Sequence, residues 1–147
     1  MRPRNSPGYT LFELIIVLGL LGLLLGLAAP PVARALAWAR VRAARDVVAM
    51  GTARARALAV ARGGAELVLD LPRARAWIEA PDTATPPEPV GDARWLRLSA
   101  DGAGGDTVRI GYDDLGLGRM AGRTLRFRSG SAEARLTVSA YGRVRTW

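Results

Sequence analysis

One carboxylate, Glu13, stands near the start of an almost unbroken apolar run that ends at Ala29. An ionised acid costs roughly 2.5–3.5 kcal/mol at the centre of a membrane helix. A chain that keeps one there needs a partner for it, and a positive charge from a second, similar helix is the natural candidate. The alternative is a position shallow enough to reach headgroup water. Other groups offer less. The chain has no histidine and no cysteine, and its 21 basic residues are all arginine. Disulfide scaffolds, cysteine/histidine zinc sites and histidine-based triads are therefore excluded, and no lysine is present to serve as a base. The adjacent acids Asp113 and Asp114 read as turn formers rather than an acid/base pair. Asp101 and Asp106 flank a glycine turn and could hold calcium through oxygen ligands, but their spacing is not that of an EF-hand and a plain turn is the simpler reading. Gly102-Ala103-Gly104-Gly105 lacks the lysine and following helix of a phosphate loop. What remains is a set of late arginines: Arg126, Arg128, Arg135, Arg143 and Arg145. Several arginines on one face can neutralise phosphates, with steep salt dependence. No catalytic residue, cofactor or metal is expected.

The elements that must carry these groups follow from periodicity. With 147 residues, the chain suits one membrane-anchored helix and one small domain. Residues 9–29 form a stretch whose helical length is about 31 Å, close to a bilayer core. Gly19, Gly22 and Gly26 share a face of that helix and permit close approach of another helix. Pro30-Pro31 removes two backbone donors and is expected to break or kink the helix. Residues 30–62 continue as an amphipathic helix with a narrow seam of Ala37, Val41, Ala44, Val48, Gly51, Ala55 and Leu58. Gly63-Gly64 stops it.

From there to residue 147 the period becomes two. Strands are expected at 66–71, 75–80, 94–99 and 107–112. The clearest hairpin pairs 124–129 with 133–140, and 142–146 adds a short strand or tail. The proline-rich stretch 81–91 reads as a loop, as does 113–122. The fold class is α+β: a long N-terminal helix, membrane-spanning in its first half, packed on a small antiparallel sheet. The net charge of +8 with no lysine reflects nucleotide bias in the source genome before it reflects phosphate binding.

The short basic leader 1–8 ending in Gly8, then Tyr9, Glu13 and the apolar run, resembles the class III signal of type IV pilins and type II secretion pseudopilins. The resemblance implies cleavage after Gly8 by a prepilin peptidase, which also N-methylates Tyr9, and pairing of Glu13 with the methylated amine of a neighbouring subunit. Phenylalanine is usual in that family where this chain has Tyr9. An ordinary secretory signal loses its apolar region, whereas a cut here retains it. The later segments Ala53-Arg54-Ala55-Arg56-Ala57-Leu58 and Val138-Ser139-Ala140-Tyr141-Gly142-Arg143-Val144 resemble the GspH/FimT family of minor pseudopilins and minor pilins. That implies a pilin-like head and a non-enzymatic subunit of a type II secretion pseudopilus tip, assembled with other pseudopilins or pilins. The leader would face the cytoplasm, the helix would cross the inner membrane, and the head would lie in the periplasm. Counting Arg2 and Arg4 against Arg34, Arg40, Arg42 and Arg45 would instead place the C-terminal side in the cytoplasm. The Gly-Arg-x-Arg ending resembles the DNA-binding element of FimT-type pilins, which makes a DNA-contacting minor pilin the alternative.

Overall fold

The computed structural model describes residues 10–102, 104–119 and 122–147. Contacts divide the chain into two units, Met1–Ala35 and Leu36–Trp147. The first helix, α1, runs from Leu11 to Arg62. It continues through Pro30 and Pro31, so of the break or kink expected there, a break does not occur. Proline's fixed φ is itself helical, and what the pair removes is two N–H donors rather than the backbone path. The C-terminus of α1 is closed by glycine. Gly63 takes a left-handed φ of 76°, and the Gly64 N–H donates to the carbonyl of Ala59 at 2.8 Å. Satisfying an otherwise orphaned carbonyl in this way is the common glycine ending of a helix.

The head contains two antiparallel sheets where a single sheet was expected. One is built from β1 (Ala65–Asp70), β2 (Arg75–Ala80), β3 (Thr83–Ala84), β4 (Glu88–Pro89) and β6 (Thr107–Tyr112), in the order β3-β2-β1-β6 with β4 also on β2. The other holds β5 (Arg97–Ala100), β7 (Arg123–Ser129), β8 (Ala132–Val138) and β9 (Val144–Thr146), in the order β5-β7-β8-β9. Strands 75–80 and 107–112 fall where the alternation places them. The expected strand at 94–99 starts later, because the carbonyl of Asp92 accepts the N–H groups of Trp95 and Leu96 and holds 92–96 in a turn. The stretch 81–91 is not wholly loop. Its two-residue strands cling to β2, and Thr85 helps by accepting the Ile78 N–H on its Oγ1 at 2.9 Å.

Both sheets and the second half of α1 share one core. Leu67, Leu69, Val108, Ile110 and Tyr112 come from the first sheet, and Leu125, Phe127, Leu136 and Val138 from the second. Val41, Ala44, Val48, Ala55 and Ala59 come from the helix. Thr52 is also buried, with its hydroxyl donated to the Ala49 carbonyl at 2.7 Å, so the helical seam is wider than the apolar residues alone suggest. Val68 points away from this core yet is fully buried. Its register partners on either side are Trp77 and Arg109. On the same outer face Arg109 bridges Glu66 at 3.1 Å and Glu79 at 2.7 Å, while the Trp77 indole N–H donates to Glu79 at 2.7 Å. The indole bond first and the Arg109 bond second hold the Glu79 carboxyl below its usual range.

Candidate assembly site and arginine face

The start of α1 is built by a capping residue. Thr10 precedes the helix, and its Oγ1 accepts the N–H of Glu13 at 3.2 Å. Thr10-Leu11-Phe12-Glu13 is the T-x-x-E spacing of a capping box, a signal in the sequence that the apolar run obscured. Glu13 therefore sits in the first helical turn, where the aligned peptide dipoles favour negative charge. Its place is shallow along the helix. Gly8 and Tyr9 lie outside the described residues.

Beyond Glu13, the large apolar side chains of the first half of α1 are exposed. Leu14, Ile15, Leu18, Leu21 and Leu24 are all about half or more accessible. A Cβ added at Gly19, Gly22 or Gly26 would meet nothing within 4 Å. The helix is long and apolar enough to cross a membrane, and among the described residues its large apolar side chains in that half are exposed.

The five late arginines divide into two groups. Alternation along β7 and β8 brings Arg126, Arg128 and Arg135 to the outer face of the second sheet, with Arg126 directly across from Arg135. Each is already held by a carboxylate. Arg126 reaches Asp101 at 3.0 Å, which gives one of the two acids considered for calcium an ion-pair role instead. Arg128 and Arg135 converge on Glu133 at 2.5 and 2.7 Å. Arg128 first and Arg135 second draw the Glu133 carboxyl below its ordinary value. Arg145, on β9 opposite Thr137, shares this face. With Arg143 it lines a shallow cleft of about 440 Å³ together with Thr137, Ser139 and Tyr141. Among the described residues no carboxylate lies within ion-pair distance of Arg143 or Arg145. Arg97, exposed on β5 across from Arg128, belongs to the same face. The alternation of Leu96 and Leu98 around it was the available signal.

The glycine of the Gly-Arg-x-Arg ending has a packing role. Gly142 adopts a φ of +77°, and a Cβ there would come within 2.7 Å of the Tyr112 ring. Gly118 packs against it so closely that its own Cβ would meet the Gly142 nitrogen at 2.5 Å. Tyr112 is buried beneath, and that burial raises its phenol above the ordinary value. Asp113 behaves as a turn former: its carboxylate accepts the N–H groups of Leu115 and Leu117 at 3.0 and 2.7 Å. Among the described residues no three acids gather as a metal site would require.

A family model described as the prokaryotic N-terminal methylation motif matches residues 3–29. The described fold matches the crystal structure of the type IV minor pilin FimU of Pseudomonas aeruginosa in two crystal forms. The first has a TM-score of 0.57 and 15% identity over 73% of this chain and 87% of that one. The second has a TM-score of 0.53 and 18% identity over 72% and 90%. This chain has a prepilin methylation motif on a pilin fold. No curated protein matches its sequence. The motif and the apolar helix together fit a membrane anchor at the start of the chain.

Proposed function

We propose that this chain is a minor subunit of a pilin-like filament assembled from the inner membrane, specifically a minor pseudopilin at the tip of a type II secretion pseudopilus. The observation that carries the reading is the methylation motif at 3–29 on a helix whose apolar first half is exposed among the described residues, while its second half is sealed into a core with two sheets. A prepilin peptidase cuts after Gly8 and methylates the amine of Tyr9. Methylation keeps the positive charge, so Glu13 of one subunit can pair with the amine of the next, which removes the cost of a lone acid in lipid. Glycine positions 19, 22 and 26 let a neighbouring helix approach closely. The leader faces the cytoplasm and the head the periplasm.

The test is Glu13→Ala in a strain carrying the secretion system. The expected result is a cleaved, membrane-inserted protein that no longer co-purifies with its pseudopilin partners. Normal co-purification would remove the assembly role of Glu13. Mass spectrometry finding an intact, unmethylated leader on the membrane-extracted protein would remove the filament reading itself.

A second reading, a minor type IV pilin that contacts DNA, is favoured by the guanidinium groups of Arg143 and Arg145 on their shared cleft, which meet no carboxylate among the described residues. Against it, Arg126, Arg128 and Arg135 are already engaged by Asp101 and Glu133. Retardation of duplex DNA that disappears in an Arg143→Gln/Arg145→Gln variant would select this reading over secretion.

A further inference from the structure

We propose that the head carries a contact between two copies of this chain, in which Asp114 and Leu115, at the tip of the 113–117 turn of one copy, enter a cleft bordered by Arg56 and Arg143 on the other. The membrane-anchored reading above enters only through the shared membrane that concentrates the copies.

The cleft has a volume of about 540 Å³ and lies between the second half of α1 and the turns around residues 117 and 141–143. Ala53, Leu117 and Val144 give it apolar walls, and Arg56 and Arg143 bring positive charge to its lining. Among the described residues no carboxylate lies within ion-pair distance of either arginine. Apolar walls with a cationic border suit an acid that stands beside an apolar side chain. A bare phosphate would satisfy the arginines and leave the walls empty.

The same face of the head presents such a pair. Leu115 is 71% exposed and follows Asp114, itself exposed. Among the described residues no arginine lies within ion-pair distance of Asp114. The tip is held in shape by its own backbone. The Asp113 N–H donates to the Leu117 carbonyl and the Gly116 N–H to the Asp113 carbonyl, both at 2.9 Å. Gly116 has a φ of +73°, and a Cβ there would come within 3.1 Å of Val60 and 3.2 Å of the Arg56 side chain. The turn is therefore seated on the stem of Arg56. It supplies Leu117 to the cleft and Leu115 to the outside, so knob and cleft are fixed to one another. An ordered knob loses little freedom on docking. Because knob and cleft adjoin, a two-fold axis can satisfy both at once, each copy giving Asp114 and Leu115 and receiving the other's. Two anchoring residues on each side make a small contact, which gains from the high local concentration of copies in one membrane.

The chain has no cysteine, so disulfides placed at single sites read the contact. Full-length chains with different tags are co-expressed, one carrying Leu115→Cys and the other Ala53→Cys, and membranes are oxidised with copper phenanthroline. Cysteine retains a small apolar side chain at the knob. The baseline is Leu115→Cys paired with Thr107→Cys, an exposed position outside the cleft. The expected result is a mixed dimer at least several-fold above that baseline. Adding Asp114→Arg to the knob chain should return it to baseline, and adding Arg56→Glu/Arg143→Glu to the cleft chain should then restore it, as reversed charges pair again. Mixed dimer at the baseline level, or a level indifferent to the charge reversal, overturns the contact. So does protection of Ala53→Cys from a thiol reagent by duplex DNA without any mixed dimer, which assigns the cleft to nucleic acid. Recovery of the chain outside the membrane fraction removes the anchor instead, and the same disulfides then read the contact in the soluble fraction.

Discussion

The two halves of α1 differ in almost everything except their backbone. From Leu11 to Ala35 the helix is leucine-rich, and every large apolar side chain described there is exposed. From Leu36 to Arg62 it is rich in alanine and arginine, and the smaller side chains Val41, Ala44, Val48, Ala55 and Ala59 are wholly buried. Hydrophobicity is thus inverted relative to burial. The half with more apolar surface has no internal use for it, and the half with less is sealed against two sheets. A helix whose greasiest part has no cover among the described residues calls for cover from lipid or from neighbouring helices. The alanine-rich half needs only close approach. Gly51 illustrates this: a Cβ there would already sit 3.2 Å from Leu67.

Truncation should expose the contrast most sharply. Phe127→Ala, at the centre of the head core, is expected to lower head stability by about 3–5 kcal/mol, read by urea denaturation of the detergent-solubilised chain. Leu21→Ala removes a comparable apolar side chain from the other half and should leave that transition where it was. Equal losses at the two sites would show that the apolar half is part of the folding unit. A smaller effect is expected at the junction of the 113–119 and 139–142 turns. Gly118→Ala drives a methyl to 2.5 Å from the Gly142 nitrogen and 2.6 Å from the Ala140 carbonyl oxygen, an overpacking cost of roughly 1–3 kcal/mol. Unchanged stability would mean that the two turns separate freely.

The smallest effect is electrostatic and confined to the head. Asp70, Glu79 and Glu133 are all held below their ordinary values. For Asp70 the main cause is the backbone N–H of Arg73, followed by its guanidinium. Depressed carboxylates favour the folded state above the unfolded-state values of about 4, and that contribution fades as pH falls through the lower folded values. Denaturation midpoints should therefore be flat from neutral pH to about pH 5 and drop below about pH 4. In Glu133→Gln the acid-side drop should be shallower. An unchanged profile would show that the outer-face arginines of the second sheet hold Glu133 too loosely to matter.

Much of this was legible in the residues. Strict alternation of Val108, Ile110 and Tyr112 gave one strand to the residue, and the same signal put Leu125, Phe127, Leu136 and Val138 inside. Gly63-Gly64 marked the helix end. The division into two sheets was not legible, because alternation reports which face is buried and not which strand is the neighbour. The short strands within 81–91 were hidden by prolines, whose missing donors argue for loop while an edge position tolerates them. Arg143 and Arg145 could be named from the ending of the chain. That Arg126, Arg128 and Arg135 would be matched by Asp101 and Glu133 could not, since those pairs depend on strand register and loop path. The capping pattern of Thr10 also lies in the sequence, masked by the apolar run that follows Glu13.

Gly142 lodges against the ring of Tyr112 and against Gly118, so a glycine is demanded there by joinery before any ligand is considered. Searches that gather sequences by a terminal glycine-arginine pair will therefore collect chains sharing this seat as readily as chains sharing a target. The more discriminating fingerprint lies two residues on, in whether an arginine at 145 faces a threonine, as it does across from Thr137, or a neutralising acid.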